Sequence, residues 1–416
     1  MNESITVGLP EAEGSSRSRH PARASAAAPG RAAVLTALFV TGFATFVNLY
    51  STQPLLPRFR EIFHASELWV SLTVTAPVLA VALAAPFLGL LADAIGRKRI
   101  IVASMFALAI PTLLAATAST LPQLIAWRFL QGLLTPGIIA VAMAYISEET
   151  PPQLAGSTMS IYVTGGVVGG FCGRFASGLI AVPWGWKASM VTLGIVTFAG
   201  AALTWRILPR STKFVRQNNA AQSVASLRVH LHNPQLLATY AVGFNVLFCL
   251  VGVFTYVNFY LADPPFLLGP AALAAIFAVY LIGAVVTPFS GRLLDKIGHR
   301  RVLVGAAMIA SAGVLLTLIR WTPVVIAGLA LAAAGAFASQ SGASTYVGKV
   351  AGQARSSAAG LYVALYYLGG CAGSVLPGLF WKKAGWLGCV ALMVCVQGII
   401  ALIASRVWSS DGKTES

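Results

Sequence analysis

The sequence predicts an all-α membrane protein of twelve transmembrane helices, arranged as two pseudo-symmetric six-helix bundles. Three observations carry the prediction. Hydrophobic residues make up 57% of the 416 residues and charged ones only 10%, with a mean hydropathy of +0.79; soluble domains carry about 25% charge. Apolar stretches long enough to cross roughly 30 Å of hydrocarbon at 1.5 Å per residue lie near 32–52, 68–91, 100–119, 122–147, 155–181 and 186–208, then near 235–261, 270–294, 301–320, 323–348, 356–381 and 385–408. Finally, the chain repeats itself. Gly89-Leu-Leu-Ala-Asp93-Ala-Ile-Gly96-Arg97-Lys98-Arg99 returns 202 residues later as Gly291-Arg-Leu-Leu-Asp295-Lys-Ile-Gly298-His299-Arg300-Arg301. Tyr162, Gly169, Gly170, Gly173, Gly178, Gly185 and Trp186 find their own types at an offset of 200. Internal repeats in an apolar chain are the mark of secondary transporters, whose substrate site lies between the halves.

Residues 1–31, rich in Ser, Ala, Pro, Arg and Glu, lack the apolar core of a signal peptide and read as a flexible tail. Residues 32–208 form the first bundle. The polar segment 209–234 is a linker, 235–408 the second bundle and 409–416 a short tail. Twenty of the basic residues fall on the side of this topology that holds both termini and the linker, and six on the other, so that side is expected to be cytoplasmic. The net charge of +16 sits in short loops rather than on a continuous basic or aromatic-interleaved surface, which excludes nucleic acid as a partner. The five cysteines lie inside apolar runs without metal-ligand spacing and read as packing residues. No cofactor is expected.

These residues match a known family. Gly89 to Arg99 resembles the signature loop between helices 2 and 3 of the major facilitator superfamily, and Gly291 to Arg301 lies where that family carries its second copy. Trp127-Arg128-Phe-Leu-Gln131-Gly132 is similar to the helix 4 motif of its proton-coupled members. Gly165-Gly-Val-Val-Gly169-Gly-Phe-Cys-Gly173-Arg174 is similar to the antiporter motif of the efflux branch, although the usual Gly-Pro pair is missing and Arg174 stands near its place. With Asn48-Leu-Tyr-Ser-Thr-Gln53-Pro54-Leu-Leu-Pro57, these runs resemble the YnfM-type, drug:proton antiporter-like transporters of bacterial inner membranes. The likeness covers residues 32–408. It implies alternating access and, by resemblance, protons as a partner.

The residues themselves suggest roles. Asp93 closes helix 2 at its partially negative end, unfavourable for a carboxylate, and should seek a positive partner. Arg97 is one candidate. By the family arrangement the other is the start of helix 11 near Arg355 to Ser357, with Asp295 meeting the start of helix 5 near Gly156 and Ser157. Such contacts form a gating latch of Gly89, Asp93, Gly96, Arg97 and Arg99 with Gly291, Asp295, Gly298 and Arg300, favouring the outward-open state. Glu148, with Glu149, completes a charge relay to Arg97 or Arg99. Gly165, Gly169 and Gly173, matched by Gly369 and Gly373, give faces for close helix approach. The alternative is a solvated loop that fixes topology only.

Intramembrane charge is the sharpest pointer, since it costs roughly 2.5–3.5 kcal/mol on insertion scales. Only Arg128 and Arg174 qualify. They are candidates either for substrate or proton coupling or for structural bonds to backbone carbonyls or to Glu61 and Glu67. Asn48, Gln53, Asn245, Asn258 and Gln340 join them as polar contacts on the cavity-lining helices of the family, with Tyr256, Tyr260 and Tyr366 as aromatic walls. None of the twelve carboxylates falls mid-membrane, so the small-molecule substrate is expected to tolerate positive surroundings and to be anionic. The leading expectation is a proton-coupled exporter in the bacterial inner membrane, working as a monomer among lipids. Uptake of a small metabolite is the second reading, and a membrane sensor or enzyme the third. No phosphate-binding loop of the primary pumps is present.

Overall fold

A computed structural model describes residues 30–211, 233–350 and 355–408, without the side chains of 86, 89–94, 152, 153, 295, 348 and 355–357. The described residues are helical throughout, with no strand. The first bundle opens with α1 (Arg31–Leu49), prolonged by a 3-10 turn (Gln53–Leu55) and a short helix (Leu56–Phe63). Then follow α2 (Glu67–Ile95), α3 (Arg97–Ala115) and α4, whose segments Leu121–Leu134 and Pro136–Glu149 are parted at Thr135 because Pro136 has no N–H to continue the ladder. In the second bundle come α7 (Pro234–Ala262), α8 (Pro270–Ile276, a 3-10 segment Phe277–Leu281, and Ile282–Ile297), α9 (His299–Leu316) and α10 (Thr322–Val350).

The helical stretches Pro152–Ile207 and Arg355–Val407 contain 56 and 53 residues. At 1.5 Å per residue each is about 80 Å long, far more than one bilayer crossing. Each reverses at a glycine, Gly185 at φ 77° and Gly385 at φ 56°, and so supplies two crossings: α5 and α6 in the first bundle, α11 and α12 in the second. With these two divided, the ten long apolar helices among the described residues make twelve crossings. The remaining positive-φ glycines are Gly96 and Gly298, which turn α2 into α3 and α8 into α9. All four stand in symmetric pairs, so these repeated glycines are corners of the chain.

Within each bundle the glycine faces bring helices into backbone contact. A Cβ at Gly165, Gly169 or Gly173 would overlap the carbonyl oxygens of Phe39, Phe43 and Val47 on α1, and one at Gly369 or Gly373 would overlap those of Phe244 and Phe248 on α7. The glycines thus hold α5 to α1 and α11 to α7 inside their own bundles, and do not form the sliding surface between bundles. After the two corners, Trp186 packs edge-on to Phe59 at 5.3 Å, and Trp386 donates from its indole N–H to Thr317 at 2.9 Å.

Candidate functional site

The helices have one end with the linker and chain termini, called here the terminal end, and an opposite, distal end. Three helices of each bundle meet the other bundle at the distal end. On one flank α2 meets α11: the Thr75 and Ser374 hydroxyls share a hydrogen bond of 2.7 Å, and Gly378 packs on Leu68. On the other flank α5 meets α8, where Gly178 packs on Pro270 and Ala274. Between the flanks, α1 meets α7. Gln53 donates to Thr255 at 3.3 Å, and Arg60 binds Asp263 at 2.7 Å and Glu67 at 3.1 Å. Tyr256, fully buried, fills this seam with its hydroxyl on the Ser374 carbonyl and its ring against Phe259 and Trp381.

Arg174 is the centre of the α5–α8 flank. Its Nε donates to Gln53 at 2.7 Å and its Nη1 to the Gly170 carbonyl at 2.7 Å. The guanidinium lies over the rings of Tyr50 at 4.8 Å, Phe277 at 5.0 Å and Tyr280 at 4.5 Å. Phe277 and Tyr280 are three apart in the 3-10 segment of α8, a geometry that eclipses i and i+3 side chains and so sets both rings on the cation. Aromatic faces are attractive to a desolvated cation. Here they stand in for the carboxylate that is lacking.

Arg128, also fully buried, has different surroundings. Where α1 breaks after Leu49, its last carbonyls lose their intrahelical partners and form the negative end of the helix. Arg128 donates to those of Asn48 at 2.8 Å and Leu49, to the Thr73 carbonyl of α2 at 2.9 Å, and to the Gln131 side chain. Gln131 continues to Thr112, Thr112 to Asn48, and Asn48 to Thr197 at 2.7 Å. This closed network lies inside the first bundle. Neither arginine reaches Glu61 or Glu67, which are engaged by Arg58 and Arg60.

Several residues expected at a cavity therefore sit elsewhere. Asn48 belongs to the Arg128 network because the α1 break turns it inward. Gln53 and Tyr256 belong to the distal seam. Asn258 is buried and donates to its own helix at Phe254, and Tyr260 stacks on Trp386 at 5.3 Å, outside the seam. Asn245 stays half-buried. The Gln340 amide oxygen and the hydroxyls of Tyr162 and Tyr362 are buried without a hydrogen-bond partner among the described residues. Tyr366 stacks on Tyr362 at 6.0 Å and meets Tyr367 at 5.5 Å.

These tyrosines lie nearer the terminal end than Arg174, and most of them escaped the sequence reading. The matched pair Tyr162 and Tyr362 was its available signal. Arg60 and Asp263 were also missed as a pair, although they stand 203 residues apart at corresponding ends of α1 and α7.

At the terminal end Arg97 grips Glu148 through two bonds of 2.7 and 3.2 Å, tying α3 to α4. Arg99 lines a pocket beside it. Gly298 turns the chain, Arg300 begins α9, and Gly291 has open space at its Cβ position. The Gly89, Asp93 and Asp295 side-chain positions and those of Arg355 to Ser357 lie outside the described residues, so the latch contacts do too. Gly156 has nothing within reach of a Cβ, and Ser157 is exposed. Along α5, Ser157, Ser160 and Thr164 are exposed at three- and four-residue spacing; the adjacent Ser344 and Thr345 on α10 are exposed too.

Comparison with known proteins places this geometry. The family model described as Major Facilitator Superfamily matches residues 38–374 and 263–415. The chain is 33% identical over 367 residues to the uncharacterized MFS-type transporter YybF of Bacillus subtilis, covering 88% of this chain and 91% of that protein. It is 31% identical over 377 residues to the inner membrane transport protein YnfM of Escherichia coli, covering 90% of each. The xylose transporter XylE of Escherichia coli, in a partially occluded inward-open conformation, shares the fold with a TM-score of 0.72 at 16% identity, covering 92% of this chain and 99% of that one. A duplicated twelve-helix chain with glycine corners, matched by that family model along nearly its whole length, is a multi-pass transporter of the major facilitator superfamily, working by alternating access.

Proposed function

We propose that this transporter exports a small, uncharged or anionic molecule across the bacterial inner membrane in exchange for protons, with the terminal end in the cytoplasm. The observation that carries the reading is the one-sided closure. The distal seam is tied by Arg60–Asp263, Gln53–Thr255 and Thr75–Ser374, while the terminal halves of α5 and α10 present exposed hydroxyls, as helices beside a polar cleft do. A substrate enters that cleft from the cytoplasm and meets the unpartnered groups of Tyr162, Tyr362 and Gln340. A buried polar group without a partner costs about 1–3 kcal/mol, which a ligand offering matching groups recovers.

Chemistry supports the substrate class. The carboxylates with described side chains, Glu61, Glu67, Glu148, Glu149 and Asp263, all sit at helix ends, while two arginines are buried mid-membrane. The cleft therefore offers, among the described residues, no counter-ion of the kind a cationic drug needs. Export and proton exchange are supported by the likeness of the Trp127–Gly132 and Gly165–Arg174 runs to the motifs of proton-driven antiporters. Asp93, with Asp295, latches the cytoplasmic side in the opposite state, as the bundles 32–208 and 235–408 rock over each other.

The test is uptake of a compound panel into everted vesicles, with and without a proton gradient. Accumulation of anionic or neutral aromatic compounds that collapses with the gradient is expected. Gradient-independent behaviour across the panel removes the antiport reading, and preference for cations removes the substrate class.

A further inference from the structure

We infer that a cationic pocket on the outer surface of the first bundle, between α3 and α6, is a binding site for the headgroup of an anionic phospholipid. It has a volume of about 600 Å³ and lies at the terminal ends of the two helices. Lys98 and Arg99 come from the first turn of α3, and Arg210 and Ser211 from the chain just beyond α6. Phe106 and Trp205 form its floor and rim.

Among the described residues nothing neutralises this cluster. Lys98, Arg99 and Arg210 form no ion pair among the described residues, and neighbouring Glu148 is engaged by Arg97. The sequence from 212 to 232 contains no Asp or Glu, so the linker has no carboxylate to offer. Two further features add to the positive field. The helix α3 starts at Gly96 without a side-chain cap, leaving its first amides and its positive dipole end facing the pocket. The Ser211 hydroxyl is buried with no hydrogen-bond partner among the described residues, a donor suited to a phosphate oxygen.

The surroundings distinguish a lipid from a free anion. Along α6, Val191, Ile195, Phe198 and Trp205 are exposed at helical spacing, an apolar stripe that ends at the pocket's rim. Across the groove α3 exposes Ile110 and Leu113, and Phe106 meets Phe198 edge-on at 5.2 Å. An acyl chain lying along this groove places its phosphate among the three cations, as basic pockets between transmembrane helices do for anionic headgroups. A free phosphate gains nothing from the groove.

Trp205 is a built-in reporter. The full-length protein is reconstituted into phosphatidylcholine vesicles that contain a minor share of phosphatidylglycerol or phosphatidylcholine with brominated acyl chains. The emission lost by wild type beyond that lost by Trp205→Phe then reports lipid at the pocket. Brominated phosphatidylglycerol is expected to quench more than brominated phosphatidylcholine, and Lys98→Gln or Arg210→Gln to weaken that preference about five-fold each, equivalent to roughly 1 kcal/mol per cation. Lys382→Gln, on the opposite face of the membrane, should leave it unchanged, and thermal unfolding in detergent checks that each variant folds. Equal quenching by the two lipids, or a preference that survives both pocket variants, overturns the proposal. Displacement of the phosphatidylglycerol signal by millimolar inorganic phosphate overturns the lipid in favour of a soluble anion.

Discussion

The two flanks of the distal seam are symmetric in position and unlike in chemistry. Thr75 and Ser374 join α2 to α11; their repeat positions are Phe277 and Arg174, which join α8 to α5. One flank is closed by a hydrogen bond between hydroxyls, worth about 0.5–1.5 kcal/mol. The other is closed by a buried guanidinium held by aromatic rings, and the 3-10 segment of α8 is the distortion that aims those rings. The same contrast separates α1 from α7. The helix α7 runs unbroken for 29 residues, whereas α1 breaks after Leu49 and leaves carbonyls that Arg128 must satisfy. At the corresponding position, 200 to 202 residues on, the second bundle has Gly328 or Ala330, neither of them charged, and α7 leaves no break for a cation to fill. Charge was added to the first bundle where its backbone departs from the common plan.

The largest effect should come from removing the residue with no counterpart. Arg128→Ala strands the carbonyls of Leu49 and Thr73 and the Gln131 amide oxygen and leaves the Asn48 carbonyl to Ser51 alone, a loss of about 3 kcal/mol or more. Little folded protein should be recovered, and Arg128→Lys should rescue poorly because one ammonium cannot reach three divergent carbonyls. Size-exclusion chromatography and thermal unfolding in detergent read this directly, and a normally stable Arg128→Ala protein would refute the structural role. Next comes the latch: Asp93→Asn should abolish transport while the protein still reaches the membrane, and Asp295→Asn should impair it less. Unimpaired flux in Asp93→Asn sinks the latch.

Arg174→Ala should leave the fold intact but loosen the α5–α8 flank. Labelling of Ala274→Cys, in a cysteine-free background, by an impermeant maleimide from the distal side should rise about ten-fold, in keeping with ~1–2 kcal/mol from a desolvated cation–π contact. Thr75→Ala, on the flank without charge, should raise it less, and equal effects would erase the distinction between the flanks. The smallest change belongs to Arg60 and Asp263, whose side chains are 28% and 40% exposed. Solvent screening limits such a pair to below about 1 kcal/mol. Asp263→Asn should alter transport rates only a few-fold, and exchanging the two charges should restore them; a swap worse than either single change would show that the pair is not an isolated tie.

The twelve crossings were legible because hydrophobic length and the repeat are written in residue types, and the observed helix ends fall within a few residues of the expected ones. Gly96, Gly185, Gly298 and Gly385 were legible as repeats, though only the backbone shows that they are turns. The partners of Arg128 were not legible, since carbonyl oxygens carry no residue identity and the break in α1 had to be seen. Nor was the aromatic cage of Arg174, which depends on a local change of helix type in the other half of the chain. Asn258 misled for a related reason: an amide at the right depth satisfied itself on its own helix.

The pairs Gln53–Thr255 and Arg60–Asp263 join residues 202 and 203 positions apart, so each side chain grips a residue within two positions of its own counterpart, since the glycine contacts of Phe43 and Phe244 set α1 and α7 at an offset of 201. A protein assembled from two copies of the first half alone would carry Pro54 and Ile62 where Thr255 and Asp263 stand, and neither tie would form at this seam. The descent of such a chain from a duplicated ancestor therefore required these few positions to diverge, while the corners and glycine faces, which never meet their own images, were free to stay alike.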